Sequence, residues 1–123
     1  MPRLSEITLY HYPKCTTSRK ARQFLDQLGV EVRERRYFTE PATEEEIRDL
    51  ARRLPGGVRD LVAERSRRFK ELNLAGRELS DEEWVRLLAR EPGLWRRPIA
   101  VKGQRVVVGY DEEALRALAE RED

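Results

Sequence analysis

The sequence predicts an α/β fold with a mixed four-stranded sheet, ordered β-α-β, then a helical insert, then β-β-α. Three observations predict it. An alternating strand pattern near the start gives way within a few residues to apolar positions at helical spacing. Helical segments with their own start and stop signals fill the middle, from about residue 43 to residue 92. Two short β-favouring runs about a glycine, followed by one amphipathic helix, close the chain. At 123 residues one domain spanning 1–123 is expected, large enough for a single core.

Each element has a local cause. Glu6–Tyr10 carries Ile7 and Leu9 in alternation and reads as a strand that stops before Pro13, which cannot continue a ladder. From Thr16 or Thr17 onward, Ala21, Phe24, Leu25 and Leu28 mark a helix that ends at Gly29. Val30–Tyr37 alternates again and reads as the second strand. Thr43 with Glu46 forms a capping box opening a helix through Ile47, Leu50, Ala51 and Leu54, which ends at Pro55-Gly56-Gly57. A second helical stretch is expected over Val58–Phe69. Ser80 with Glu83 gives another capping box for a helix through Trp84, Leu87 and Leu88, ending before Pro92. Pro98–Lys102 and Arg105–Val108 read as strands joined through Gly103, and Asp111 caps a last helix carrying Ala114, Leu115 and Leu118. A thioredoxin-like sheet with a helical insert between its halves accounts for this order. There is no repeat, low-complexity tract or flexible linker.

Composition excludes several classes. No apolar run approaches the roughly 18 residues of a membrane span, and the first ten residues lack the apolar stretch of a secretion signal, so no membrane partner and a cytoplasmic protein are expected. Lys and Arg number 25 against 23 Asp and Glu, a balance that argues against direct nucleic-acid binding. Of the basic residues, 21 are Arg, which suits a surface of ion-pair networks. A single cysteine forbids an internal disulfide and a multi-cysteine metal cage, and no metal site is expected.

That cysteine, Cys15, falls between the first strand and the first helix. A helix start presents unpaired N–H groups and a partial positive charge, which favour thiolate and can hold an oxyanion. Lys14 and Arg19 add positive charge, and Thr16, Thr17 and Ser18 offer hydroxyls to the sulfur. A nucleophilic thiol is the expected outcome. His11, four residues earlier, is a candidate to assist deprotonation. Arg97-Pro98, at the start of a strand facing this turn, is a candidate cis bond whose arginine projects towards the thiol.

Three stretches together, Tyr10-His11-Tyr12-Pro13-Lys14-Cys15-Thr16-Thr17-Ser18-Arg19, Arg96-Arg97-Pro98-Ile99 and Val108-Gly109-Tyr110, resemble the arsenate reductase (ArsC)/Spx family of thioredoxin-like proteins. The resemblance covers nearly the whole chain. It implies catalytic roles for Cys15, His11 and Arg97, with Thr16, Thr17, Ser18, Arg19 and Arg65 around the oxyanion or thiolate and Pro98 as the structural cis-proline. Glutathione- or glutaredoxin-dependent arsenate reductases bind their oxyanion with three arginines. Arg97 matches one; Gly109-Tyr110 stands where another is expected, and the third place falls at about Ala63, with Arg59 and Arg65 nearby. The resemblance therefore implies a monothiol oxidoreductase with no bound cofactor, acting on a small oxyanion or thiol substrate. Its reductant would be external, a low-molecular-weight thiol such as glutathione or a glutaredoxin-like redox protein. The second half, from Arg65 to Asn73 and from Pro92 to Ile99, looks closer to Spx regulators, which implies RNA polymerase α subunit as an alternative partner. Many Spx proteins carry a Cys-x-x-Cys switch, and here Ser18 holds its second position.

Overall fold

Ile7 and Leu9, both fully buried, point from one strand face into an apolar layer built by Ala21, Leu25, Leu115 and Leu118 from two helices. Each such leucine-sized side chain contributes about 1.5–3 kcal/mol on burial. The protein, described over residues 6–120 in a computed structural model, runs β1 (Ile7–Tyr10), α1 (Thr16–Gln27), β2 (Val32–Arg35), α2 (Glu44–Arg52), α3 (Arg67–Glu71), α4 (Asp81–Arg90), β3 (Ile99–Lys102), β4 (Arg105–Val108) and α5 (Glu112–Glu120). Short 3-10 turns occupy Gly57–Leu61 and Pro92–Leu94. The chain divides into two compact units: one ends at Tyr37 and resumes at Arg97, the other is Phe38–Arg96.

The first unit holds the sheet, in the order β2-β1-β3-β4. β1 and β2 are parallel, while β1 with β3 and β3 with β4 are antiparallel, so the sheet is mixed as the sequence predicts. The β1–α1–β2 unit supplies the crossover that a parallel pair requires. The loop joining β3 and β4 is Gly103-Gln104, with Gly103 at φ 58°, a conformation that costs glycine little. Asp111 opens α5 as expected, its Oδ1 accepting the Ala114 N–H at 3.0 Å. Lys102, 6% exposed, donates from Nζ to the Ala119 carbonyl at 3.0 Å, placing a cation at the C-terminal end of α5.

β2 is shorter than the expected Val30–Tyr37. Among the described residues it pairs with β1, from Ile7 opposite Val32 to Tyr10 opposite Arg35, and the ladder stops where β1 stops. Tyr37 thereby leaves the strand and becomes a buried side chain, 1% exposed.

In the second unit both capping boxes form. Thr43 Oγ1 accepts the Glu46 N–H at 3.1 Å while Glu46 Oε1 accepts the Thr43 N–H at 2.9 Å. Ser80 and Glu83 repeat the arrangement at 3.2 and 2.8 Å. The continuous helix expected over Val58–Phe69 is broken. Val62 forms an antiparallel bridge with Trp95, and Ser66 Oγ accepts the Phe69 N–H at 3.1 Å, starting α3 afresh. A serine that caps its own third residue competes with helix continuation. Trp84, Trp95, Ile47, Leu61, Leu88 and Leu94 are the unit's fully buried large residues, and Trp95 Nε1 donates to the Leu88 carbonyl at 2.9 Å.

Candidate active site

The turn between β1 and α1 is held by its own backbone. The Cys15 N–H donates to the Tyr12 carbonyl at 2.9 Å, and the Arg19 N–H to the Cys15 carbonyl at 3.0 Å, the first bond of the helix. Cys15 is therefore the N-cap of α1, with extended backbone at φ −92° and ψ 124°. No acidic residue occupies the first turn to neutralise the helix dipole there, which leaves its positive end to the thiol.

Cys15 is half-buried. Burial pushes its thiol up, but the main-chain N–H groups of Ser18 and Thr17 and the Arg97 guanidinium together outweigh that and hold it below the ordinary cysteine value. The sulfur closes no regular N-cap hydrogen bond in this rotamer, so the amides act as nearby donors favouring the thiolate. Two of the hydroxyls expected near the sulfur accept hydrogen bonds within the turn. Ser18, fully buried, accepts the Tyr12 N–H at 3.4 Å, and Thr16 Oγ1 accepts from Arg19 at 3.4 Å. Arg19 also donates to the Pro13 carbonyl at 2.8 Å, so its guanidinium braces the turn. Thr17 contributes through its amide.

Arg97 is the residue from the far end of the chain that the fold brings to the thiol. The Arg97–Pro98 bond is cis, and the Pro98 carbonyl accepts the Gly109 N–H at 2.7 Å as β3 begins. The guanidinium lies over the Tyr12 ring, 5.4 Å from its centroid, a cation–π contact. Its charge also acts on the phenol of Tyr37. Burial pushes that phenol up to about 12, with Arg97 pulling it down and Cys15 pushing it up, so Tyr37 stays neutral. Sequence reasoning missed both tyrosines. Tyr12 was visible as a motif neighbour of Cys15, but no local signal marked Tyr37 as facing the site.

His11 lies at the end of β1, 5% exposed, its N–H donating to the Arg35 carbonyl at 2.8 Å. Burial lowers its pKa most; Glu34 raises it, and Arg36, Arg22 and Arg19 lower it further. The imidazole is thus neutral at pH 7, and its buried Nδ1 has no hydrogen-bond partner among the described residues. The largest influences on the Cys15 thiol, beside its burial, come from the Ser18 and Thr17 amides and from Arg97, so the structure gathers Cys15 and Arg97 at the turn. Arg65 belongs to the second unit, where it lines a hollow with Arg59 and Arg96. Among the described residues, no group of three His, Cys, Asp or Glu side chains is placed to hold a metal ion. No described helix is long and apolar enough to cross a membrane.

The fold agrees with comparisons to known proteins. The model of the ArsC family matches residues 10–118. A global transcriptional regulator Spx from Listeria innocua is 36% identical over 94% of this chain and 88% of its own. The regulatory protein MgsR of Bacillus subtilis is also 36% identical, over 94% and 92%. An arsenate reductase from Vibrio cholerae superposes with a TM-score of 0.84 at 29% identity, covering 93% of this chain and 98% of that one. With a family match running from the last residue of β1 into α5, the chain belongs to the ArsC family.

Proposed function

We propose that the protein is a monothiol oxidoreductase in which the Cys15 thiolate attacks a small oxyanion such as arsenate, or an oxidised thiol. The observation that carries this reading is the convergence of the α1 amides and Arg97 on one half-exposed thiol held below its ordinary pKa. With arsenate, Sγ bonds to arsenic(V) and water leaves. An external thiol then attacks the sulfur, the electron pair of the S–As bond reduces arsenic to As(III), and Cys15 remains as a mixed disulfide. A second external thiol frees Cys15 and departs as a disulfide, so two thiols supply the two electrons. Arg97 neutralises charge on the oxyanion and on the leaving thiolate. His11 is assigned proton transfer at the site, in keeping with its neutral imidazole. The protein with arsenate, glutathione and glutaredoxin should consume reducing equivalents, and Cys15→Ser should abolish this. Turnover no greater than that of the variant would refute the arsenate reading.

A second reading rests on a different observation, that relatives 36% identical over 94% of the chain are named transcriptional regulators. In it the domain docks on the C-terminal domain of the RNA polymerase α subunit and uses no thiol chemistry. The contact assigned to it is the Gly56-Gly57 turn, where Gly57 adopts φ +67° and the Gly56 N–H donates to Asp60 at 2.8 Å. A Cβ at Gly56 would fall on the Asp60 carboxylate and displace it, at the cost of its hydrogen bond to the Gly56 N–H. Co-purification with that domain by wild type and Cys15→Ser alike would support this reading, and failure to bind it would refute it.

A further inference from the structure

The second unit contains a cavity of about 290 Å³ that neither reading uses. Leu72, Leu74, Leu79 and Leu87 line it, Leu74 buried and the other three half-buried. Around them stand Arg77, Arg86 and Arg90, all exposed. On α4, Glu83, Arg86, Leu87 and Arg90 follow at three- and four-residue spacing and so share one helix face. The loop after α3 completes the wall, turning through Asn73 at φ 54° and Gly76 at φ 77°.

The hollow carries a positive rim. Elsewhere in the unit Arg48, Arg59 and Arg68 each pair with a glutamate. Arg77, Arg86 and Arg90 form no salt bridge or side-chain hydrogen bond among the described residues. Glu83 is the single acidic lining residue, and its carboxylate already accepts the Ser80 N–H. Three guanidiniums thus face one committed carboxylate around a leucine-lined depression. The volume sits below the about 300–1,000 Å³ that encloses a small-molecule ligand, and suits one or two apolar side chains.

We propose that this hollow docks an acidic amphipathic segment of a partner protein, whose bulky apolar side chain enters among the leucines while its carboxylates meet Arg77, Arg86 and Arg90. Apolar anchors in a groove with a complementary charged rim are a recurring mode of peptide recognition. The site is independent of Cys15, so its failure leaves the thiol chemistry untouched.

Titration of the isotope-labelled full chain with a synthetic helical peptide carrying a leucine stripe and glutamates tests this by amide shift mapping. Shifts should gather on residues 72–79 and 83–90. The same peptide with lysines for glutamates should not bind. Each of Arg77→Ala, Arg86→Ala and Arg90→Ala should weaken binding by up to about fivefold, with thermal unfolding unchanged. Leu87→Ser should abolish it. Binding mapped elsewhere, equal binding of the lysine peptide, saturation by decanoate without peptide binding, or self-association that excludes the peptide would each overturn the proposal.

Discussion

Replacing Ser18 by cysteine should convert this monothiol site into a dithiol one. Cys15 is the N-cap of α1 and Ser18 its third helical residue, the pair through which an N-cap side chain normally meets a helix amide. Residues three apart on a helix have Cβ atoms about 5–6 Å apart, and the extended backbone of Cys15 turns its side chain inward, towards the roughly 3.5–4.5 Å that a disulfide needs. Ser18 is fully buried, and its hydroxyl accepts the Tyr12 N–H at a long 3.4 Å, a contact the substitution gives up. Closing so short a loop restrains the unfolded chain by about 2 kcal/mol at most, so oxidised Ser18→Cys should unfold in urea later than its reduced form by no more than that. Thiol titration and mass measurement provide the sharper assay. Under mild oxidation with glutathione, wild type should lose its one thiol and gain one glutathione. Ser18→Cys should lose both thiols and gain none. Glutathione uptake at Cys15 with the second thiol intact would refute the inward geometry assigned to this helix start.

Three further outcomes follow from the same structure. Arg97→Gln removes the guanidinium that favours the thiolate, so the Cys15 pKa should rise; alkylation should slow at neutral pH but not at high pH, and an unchanged pH–rate profile would show that Arg97 does not act on the sulfur. Burial lowers the folded-state pKa of His11, so the unfolded chain binds a proton near pH 6.5 that the folded one refuses. Its contribution is intact above that pH and is lost as pH falls from about 6.5 through the lowered folded value, at up to about 1.4 kcal/mol per pH unit, and His11→Gln should remove this part of the slope in urea unfolding. Thr43→Ala and Ser80→Ala should each cost about 1 kcal/mol, and nearly add when combined because the two capping boxes share no hydrogen bond. A cost near zero for either would mean the box is replaced by water without loss.

What was legible in the sequence had a local cause. Thr43-Glu46, Ser80-Glu83 and Asp111 announce helix starts by side chains that bond within three residues, and all three form. The reactive turn was equally local, since Pro13, Cys15 and the polar run after it sit within one strand-to-helix junction. Arg97 was the exception: its approach to Cys15 depends on β3 pairing with β1, and it was the proline after it, at the start of a strand, that pointed to it. Misreadings arose where tertiary pairing decides. Val58–Phe69 has helical spacing, yet Val62 is drawn into a bridge with Trp95 more than thirty residues later, which no local pattern encodes. Tyr37 likewise looked like a strand residue and became a wall of the site because β1 offers β2 no further partner. The amides of Thr17 and Ser18 that favour the thiolate were not legible, because side chains are visible in a sequence and N–H directions are not.

The two functional readings converge further than their labels suggest. With one cysteine, any reversible oxidation of Cys15 must pass through a bond to another molecule, whether the protein turns over a substrate or responds to an oxidant. A mixed disulfide with glutathione would place new carboxylates beside Arg97, the same cation that lies over Tyr12 and acts on Tyr37. In an enzyme that state must be short-lived, and the lowered Cys15 pKa helps, because a stabilised thiolate is also a better leaving group when the second thiol attacks. In a regulator it would have to persist long enough to be read. The setting of Cys15 favours rapid release, so the lifetime of the mixed disulfide is the property on which the two readings part.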